Sequence, residues 1–239
     1  MARTATIANA GRRRFGALMM AAALVPVAFA ASYAQTASAP PTGHKMSYHE
    51  VRLGLFAMSR IESAAIVMLG DSLTEGAPWR ELTGCPSLVN RGIGGDTSKG
   101  VLVRLDGVIT LRPRAVFLMI GVNDVALSVP QPATIASFQA ILDRLAGAGI
   151  RSYPAYVLPV AQSYSKRQIN GTIGALNEEI TKVIAARADI TAIDLRPLVR
   201  SPSGYLREDL SFDGLHLTPK GYGIWRDAIA DAVAQSCMP

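Results

Sequence analysis

The chain has 239 residues, of which 49% are apolar, and its 24 lysine and arginine residues outnumber 18 aspartate and glutamate residues, giving a formal net charge of +6. Four arginines and no acidic residue lie within residues 1–34, so the remainder has a net charge of only +2. Because no run of lysine and arginine interleaved with aromatic residues occurs there, the charge pattern excludes a nucleic-acid-binding protein.

The N-terminus has the pattern of an export signal. Arg12, Arg13 and Arg14 precede an uncharged apolar run over residues 15–31, and Ala34 belongs to a small-residue cleavage site. The arginine cluster is typical of a twin-arginine signal and also of a general secretory signal, so both routes remain open. The run is short and alanine-rich for a membrane span, which needs about 20 apolar residues. We predict cleavage and no stable span afterwards, with an uncleaved anchor as the alternative.

We therefore divide the chain into a signal peptide over residues 1–34, a linker over residues 35–46 and one domain over residues 47–239. Such a protein would be periplasmic or secreted by a bacterium. The domain contains both cysteines, Cys85 and Cys237. In an oxidising compartment they can form a disulfide, and two free buried thiols are the alternative.

Helical and strand patterns alternate along the predicted domain. The predicted helices are Tyr48–Glu62, Val101–Ile109, Pro132–Ala148, Gln168–Ala188 and Pro219–Gln235, and the predicted strands are Ala65–Leu69, Ser87–Asn90, Ala115–Ile120, Tyr153–Leu158 and Ile190–Leu195. Continuous apolar strands separated by helices are typical of a parallel sheet covered on both faces. The pattern predicts an α/β fold: a three-layer α/β/α sandwich with a five-stranded parallel sheet.

Ser72 comes directly after the first predicted strand, in the sequence Gly-Asp-Ser-Leu. In an open parallel sheet the carboxyl ends of the strands form the ligand-binding edge. Ser72 is therefore a candidate nucleophile, although a serine in this position also caps a helix or closes a turn.

His216 is the only histidine in a loop inside the predicted domain, and Asp213 lies three residues before it. This spacing allows the carboxylate to bind one imidazole nitrogen while the other nitrogen faces a serine, which is the arrangement of a nucleophilic triad. A solvated Asp-Gly turn is the alternative.

Two further loops follow strands at the same predicted edge. The glycine-rich loop over residues 92–97 lacks both the dinucleotide fingerprint and the phosphate-binding lysine pattern, but it offers backbone N–H groups at Gly94 and Gly95. Asn123, after the third predicted strand, offers a side-chain amide. Each loop alone is typical of a turn, and their joint occurrence is what indicates a site.

These four blocks, Gly70-Asp71-Ser72-Leu73, Gly95-Asp96-Thr97, Gly121-Val122-Asn123-Asp124 and Asp213-Gly214-Leu215-His216, resemble the four sequence blocks of the SGNH (GDSL-type) hydrolases. The segments around residues 90–97 and 215–222 are most similar to the branch that contains platelet-activating-factor acetylhydrolase subunits and bacterial carbohydrate O-acetylesterases. The resemblance implies a flavodoxin-like fold.

The resemblance also implies roles for individual residues. Ser72 would be the nucleophile, His216 the general base and then acid, and Asp213 the residue that orients His216. The oxyanion hole would consist of the backbone N–H groups of Ser72 and Gly95 and the amide of Asn123. Neither a cofactor nor a metal ion is expected.

Three more residues are candidates for substrate contact. Trp79 lies in a loop that could border the strand-end edge, as does Tyr164, and Asp71 precedes the candidate nucleophile. An aromatic side chain in such a loop can stack on a sugar, but it also commonly packs against its own helices.

The sequence thus predicts an exported serine esterase that removes a short acyl group, most plausibly acetyl, from an acylated small molecule or polysaccharide. Three alternatives remain: a lysophospholipase or thioesterase of broad acyl range, an acyltransferase acting on a glycan, and a non-catalytic glycan-binding module. A binding module would not need all five of the site residues.

Overall fold

The computed structural model describes residues 45–188 and 190–237. The predicted signal peptide, and the predicted linker up to residue 44, lie outside the described residues. Within the described part of the chain, no helix combines the length and the apolar character needed to cross a membrane.

Helices and strands alternate along the described residues. The strands are β1 (Ile66–Gly70), β2 (Leu88–Gly92), β3 (Ala115–Met119) and β4 (Arg151–Pro154). The α-helices are α1 (Tyr48–Ala57), α2 (Ser72–Glu75), α3 (Trp79–Thr83), α4 (Ser98–Val103), α5 (Asp106–Ile109), α6 (Val122–Ala126), α7 (Gln131–Gly147), α8 (Asn170–Ala185), α9 (Arg196–Val199) and α10 (Pro219–Cys237).

The four strands form one parallel sheet in the order β2-β1-β3-β4. Successive side chains of a strand point to opposite faces, so each strand contributes to two cores. Ile66 and Met68 of β1 belong to one core, whereas Val67 and Leu69 belong to the other. All four of these side chains are fully buried, as expected for a parallel sheet covered on both sides.

Helices cover both faces of the sheet. The first core includes Trp79 of α3 and Trp225 and Ile229 of α10, and the second includes Phe138 of α7 and Leu176 of α8. The prediction of a three-layer α/β/α sandwich is confirmed.

The prediction of five strands is wrong in one detail, because the sheet has four. The segment predicted as the fifth strand makes only isolated parallel bridges, from Ile190 to Ser152 and from Ile193 to Ala155. On this edge of β4, Tyr156 donates its N–H to Ile193 O, at a nitrogen-to-oxygen distance of 3.3 Å. Pro154, two residues earlier and facing the same edge, has no N–H, so the ladder is interrupted there.

Two helix boundaries also differ from the predictions. The helix predicted over Val101–Ile109 is divided into α4 and α5, since the backbone leaves the helix at Arg104, whose guanidinium binds Asp96 and the carbonyls of two strand ends. Helix α1 ends at Ala57 instead of Glu62. The apolar residues that suggested the longer helix, Met58 and Ile61, are exposed and therefore do not mark a buried face.

Candidate active site

The carboxyl ends of β1, β2 and β3 bring three loops to one edge of the sheet. Gly70 ends β1 in a position that has no space for a side chain. A Cβ atom there would lie 2.2 Å from Met119 O and 2.3 Å from Thr74 Oγ1. Because Gly70 has no side chain, the chain can turn sharply from β1 into α2. Ser72 therefore lies at the carboxyl end of β1.

Side chains from three other segments fix α2, which is only one turn long. Tyr222 donates from its hydroxyl to Leu73 O at 3.0 Å, and Trp79 donates from Nε1 to Thr74 O at 2.7 Å. Asn90 donates from Nδ2 to the carbonyls of Thr74 and Glu75 at 3.0 and 3.1 Å. The terminal carbonyls of a short helix need such partners, and here they also fix the position of Ser72.

Ser72, His216 and Asp213 form a continuous hydrogen-bonded chain. Ser72 Oγ lies 2.9 Å from His216 Nε2, and His216 Nδ1 lies 2.6 Å from Asp213 Oδ2. The other oxygen of Asp213 accepts the backbone N–H of His216 at 2.7 Å and that of Leu215 at 2.9 Å. Partial burial acts to raise the pKa of Asp213, but the hydrogen bonds from the His216 ring and from these two N–H groups outweigh it and lower that pKa. Asp213 is therefore ionised and can orient the imidazole.

The turn that holds Asp213 and His216 requires glycine at position 214. Gly214 has φ +89°, and a Cβ atom there would lie 2.8 Å from Tyr164 Cβ. Tyr164, suggested by the sequence as a residue bordering the site, thus supports this turn from behind. Ala161 reinforces the contact by donating its N–H to Gly214 O at 2.7 Å.

The candidate oxyanion hole lies beside the serine. Within residues 45–188 and 190–237, no oxygen accepts the N–H of Ser72 or of Gly95, so both donors are available. Asn123 donates one hydrogen of Nδ2 to Asp96 O at 2.9 Å, which orients the amide and leaves its second hydrogen for a ligand. Gly95 has φ +79°, a conformation that L side chains rarely adopt.

An arginine holds the loop of Gly95 from the inner side. Arg104, whose side chain is 6% exposed, donates from Nε to Asp96 Oδ2 at 2.7 Å. It also donates to Gly70 O at 3.0 Å and to Arg91 O at 2.7 Å. The buried guanidinium of Arg104 therefore connects the glycine-rich loop to the ends of β1 and β2.

The expectation that Trp79 contacts substrate is wrong. Trp79 is 1% exposed, and its ring packs edge-on against Trp225 with the centroids 4.8 Å apart. Its indole serves the site only indirectly, through the hydrogen bond to α2. Asp71 cannot contact substrate either, because it is 1% exposed and its Oδ1 caps α2 by accepting the N–H of Leu73 at 3.0 Å.

Sequence reasoning missed two residues that the structure places at the site. Phe212 is 72% exposed, and its ring lies 5.9 Å from the His216 ring with an interplanar angle of 20°. Its position directly before Asp213 was the available signal. Glu75, the last residue of α2, accepts the N–H of Gly94 in the glycine-rich loop at 2.6 Å.

The two cysteines form a disulfide that lies away from the site. Cys85, in the loop before β2, is bonded to Cys237 at the end of α10, with their Cα atoms 5.9 Å apart. Of the two alternatives raised by the sequence, the structure contains the bridged form.

The structure is an α/β fold in which a serine, a histidine and an aspartate lie in hydrogen-bonded order at the carboxyl ends of the strands. Residues 68–224 match the GDSL-like Lipase/Acylhydrolase family. The chain belongs to that family, and it is a carboxylic ester hydrolase. No curated protein sequence matches the chain.

Solved structures agree with this assignment. A GDSL-like lipase from Bacteroides thetaiotaomicron is 25% identical, with 78% of this chain and 97% of that chain covered and a TM-score of 0.67. The acetyl xylan esterase AlAXEase is 22% identical, with 70% and 98% covered and a TM-score of 0.61. A carbohydrate esterase family 3 protein from Talaromyces cellulolyticus is 18% identical, with 73% and 98% covered and a TM-score of 0.59. The last two similarities concern the fold alone.

Proposed function

We propose that the protein is an exported serine esterase that removes short acyl groups, acetyl above all, from a carbohydrate or polysaccharide. The observation that carries the proposal is the chain of contacts from Ser72 Oγ to His216 Nε2 at 2.9 Å and from His216 Nδ1 to Asp213 at 2.6 Å. These residues lie at the carboxyl ends of the strands, and the side chains of His216 and Asp213 are 31% and 40% exposed, so a substrate can reach them.

In the first half of the proposed reaction, Ser72 Oγ attacks the ester carbonyl carbon while His216 Nε2 takes the hydroxyl proton. The carbonyl oxygen becomes negatively charged, and the N–H groups of Ser72 and Gly95 and the amide of Asn123 stabilise it. The C–O bond to the alcohol then breaks. His216 gives its proton to the departing alkoxide, which leaves an acyl ester on Ser72.

In the second half, water takes the place of the alcohol. His216 removes a proton from the water as its oxygen attacks the acyl carbon, and the tetrahedral species forms in the same oxyanion hole. When the bond to Ser72 Oγ breaks, His216 returns the proton to the serine and the carboxylic acid leaves. Asp213 keeps one tautomer and orientation of the imidazole in both halves.

Three observations support a carbohydrate substrate and export. The exposed ring of Phe212 lies beside the ring of His216, and an exposed aromatic face next to the site can stack on a sugar ring. Carbohydrate esterases are among the structurally similar proteins. The disulfide between Cys85 and Cys237 suits an oxidising compartment outside the cytoplasm.

Hydrolysis of nitrophenyl acetate, butyrate and octanoate tests the reaction and the acyl preference together. We expect acetate to be preferred and Ser72→Ala to lose at least about 10³-fold in kcat. The matched control is Ser203→Ala, an exposed serine away from the site, which should leave kcat unchanged. Full activity in Ser72→Ala would refute the proposed mechanism.

Acetate release from acetylated xylan and other acetylated glycans tests the substrate. Release that depends on Ser72 is the expected result. Preference for octanoate or an acyl thioester, with no release from glycans, would instead identify a lysophospholipase or thioesterase. Transfer of the acyl group to an added sugar in place of water would identify an acyltransferase. Glycan binding without turnover, if Ser72→Ala leaves it unchanged, would identify a binding module.

A further inference from the structure

The carboxylate of Glu75 lies next to the nucleophile but takes no part in the proposed proton transfers. Its side chain is 18% exposed. One oxygen accepts the N–H of Gly94 at 2.6 Å, and the other accepts the hydroxyl of Tyr48 at 2.6 Å and lies 2.8 Å from Arg52 Nε. Hydrogen bonds to a carboxylate are roughly twice as strong as those between neutral groups. Glu75 therefore holds both Gly94 and Tyr48 strongly.

Gly94 directly precedes Gly95, the proposed oxyanion donor. The loop contains Gly92, Gly94 and Gly95, so it has few side chains of its own with which to hold a conformation. Gly92 packs directly on the backbone of Glu75, where a Cβ atom would lie 2.3 Å from the Glu75 nitrogen. The direction of the Gly95 N–H therefore depends on the contacts that α2 makes with this loop.

Glu75 also attaches helix α1 to the same loop. No residue of α1 is buried, and the helix contacts the domain largely through polar side chains. Tyr48 and Arg52 bind Glu75, while His49 Nε2 lies 3.4 Å from Asp96 Oδ1. Phe56 adds a further contact, with the Arg91 guanidinium 4.6 Å from its ring centre.

The attachment brings an aromatic ring to the site. The point that a Cβ atom of Gly94 would occupy is 3.5 Å from Tyr48 Cε1 and 3.8 Å from Ser72 Cβ. The Tyr48 ring and the nucleophile thus flank the same glycine.

We propose that Glu75 is a positioning residue that fixes the glycine-rich loop over residues 92–97, here called the oxyanion loop, through Gly94 and anchors α1 against it. The proposal rests on the proposed function, because it takes Gly95 as an oxyanion donor. Loss of the carboxylate should weaken stabilisation of the charged transition state while leaving ground-state binding nearly intact.

The test is a set of three substitutions assayed with nitrophenyl acetate, with kcat corrected for active sites by titration. We expect Glu75→Ala to lower kcat about 10- to 100-fold, less than the roughly 10² to 10³ that follows complete loss of a donor, with KM within about threefold of the wild type. Glu75→Gln keeps an oxygen for the Gly94 N–H and should stay within about fivefold of wild-type kcat. Glu179→Gln, which removes a surface carboxylate paired with Lys182, is the matched control and should change nothing.

An inhibitor that mimics the oxyanion gives a readout that a purely structural role would not move. The inhibition constant of a trifluoromethyl ketone should rise in Glu75→Ala in proportion to the loss of kcat. A Glu75→Ala enzyme with kcat within twofold of wild type, or a Glu75→Gln enzyme as impaired as Glu75→Ala, would overturn the proposal.

If Glu75→Ala does not fold, Glu75→Asp carries the same test. The shorter side chain keeps the charge but draws the carboxylate away from Gly94, so kcat should fall at least about fivefold. Unchanged kcat would overturn the proposal. Ser72→Ala and Asn123→Ala are assayed in parallel: activity that survives both refutes the proposed function, whereas activity lost in both but kept in the Glu75 variants refutes only the role of Glu75.

Discussion

The first and last helices of the described domain are attached in opposite ways. Helix α10 buries six residues, among them Trp225 and Ile229, and ends at the disulfide cysteine Cys237. Helix α1 buries none and is held by polar contacts to Glu75 and Asp96. Burial of apolar surface is the main source of folding stability, so α10 stabilises the domain. Helix α1 contacts the oxyanion loop directly through Asp96 and indirectly through Glu75. We therefore expect α1 to affect turnover more than stability.

The largest expected loss of stability comes from the apolar contacts of α10. Trp79→Ala removes an indole that packs against Trp225 and donates to Thr74 O. We expect the free energy of unfolding to fall by about 3–5 kcal/mol, as is usual when a buried tryptophan is truncated. Urea denaturation measures it. A loss below about 1 kcal/mol would mean that this cluster is not a main part of the core.

The disulfide should have the next largest effect. Replacing both Cys85 and Cys237 by serine frees two segments 152 residues apart in sequence. The expected cost is about 2–4 kcal/mol in the free energy of unfolding, with kcat of the folded enzyme unchanged. Thermal unfolding with and without reductant measures the first, and esterase assays below the transition measure the second. A fall in kcat at equal folded fraction would show that α10 also acts on the site.

A pH-dependent loss of stability is expected at Asp71, the buried residue that caps α2. Burial raises the pKa of Asp71 to about 7, opposed by the hydrogen bond from the Leu73 N–H and reinforced by the charges of Asp96 and Asp124. In the unfolded chain an aspartate has a pKa of about 3.9. The folded protein therefore holds a proton that the unfolded chain has released, and stability should fall as the pH rises from about 4 to about 7 and then level off.

Asp71→Asn sharpens that prediction, because asparagine can still accept the Leu73 N–H but does not titrate. Between pH 5 and pH 8 we expect the wild type to lose about 2–3 kcal/mol of unfolding free energy and the variant to lose clearly less. Urea denaturation at each pH is the measurement. Parallel losses in both proteins would show that Asp71 is not the titrating group.

The smallest effect is expected on the outer side of α1. Leu55 is 52% exposed, whereas Ile229 of α10 is fully buried. Leu55→Ala should change the free energy of unfolding by no more than about 0.5 kcal/mol, while its matched control Ile229→Ala should cost about 2–5 kcal/mol. Comparable losses in the two variants would contradict the contrast between the helices.

Much of the fold could be predicted because apolar runs and turn residues are local signals. The strand before Ser72 and the helix after Thr218 are of this kind, and the alternation of elements implied the three layers. The prediction of a fifth strand was wrong because the hydrogen bonds of that strand depend on its neighbour, β4. Pro154 removes the N–H that the segment around Ile193 would need, and this pairing is not visible from the apolar pattern of either segment alone.

The residues of the site show the same difference between local signals and long-range contacts. Ser72, Asp213 and His216 lie in short motifs whose spacing has chemical meaning, and the structure places them within hydrogen-bonding distance. Trp79 was misplaced because an aromatic residue between two elements can face either the solvent or the core, and only its packing partner on α10 decides which. Glu75 was missed because its partners come from segments 19 and 27 residues away.

Covalent trapping can show whether Ser72 is the nucleophile. The enzyme is incubated with a nitrophenyl alkylphosphonate, which forms a stable ester on an activated serine, and is digested and examined by mass spectrometry. We expect one adduct per chain, on the peptide that contains Ser72, absent in Ser72→Ala and formed far more slowly in His216→Ala. An adduct on a different residue, or inhibition of the esterase with Ser72 unmodified, would contradict it.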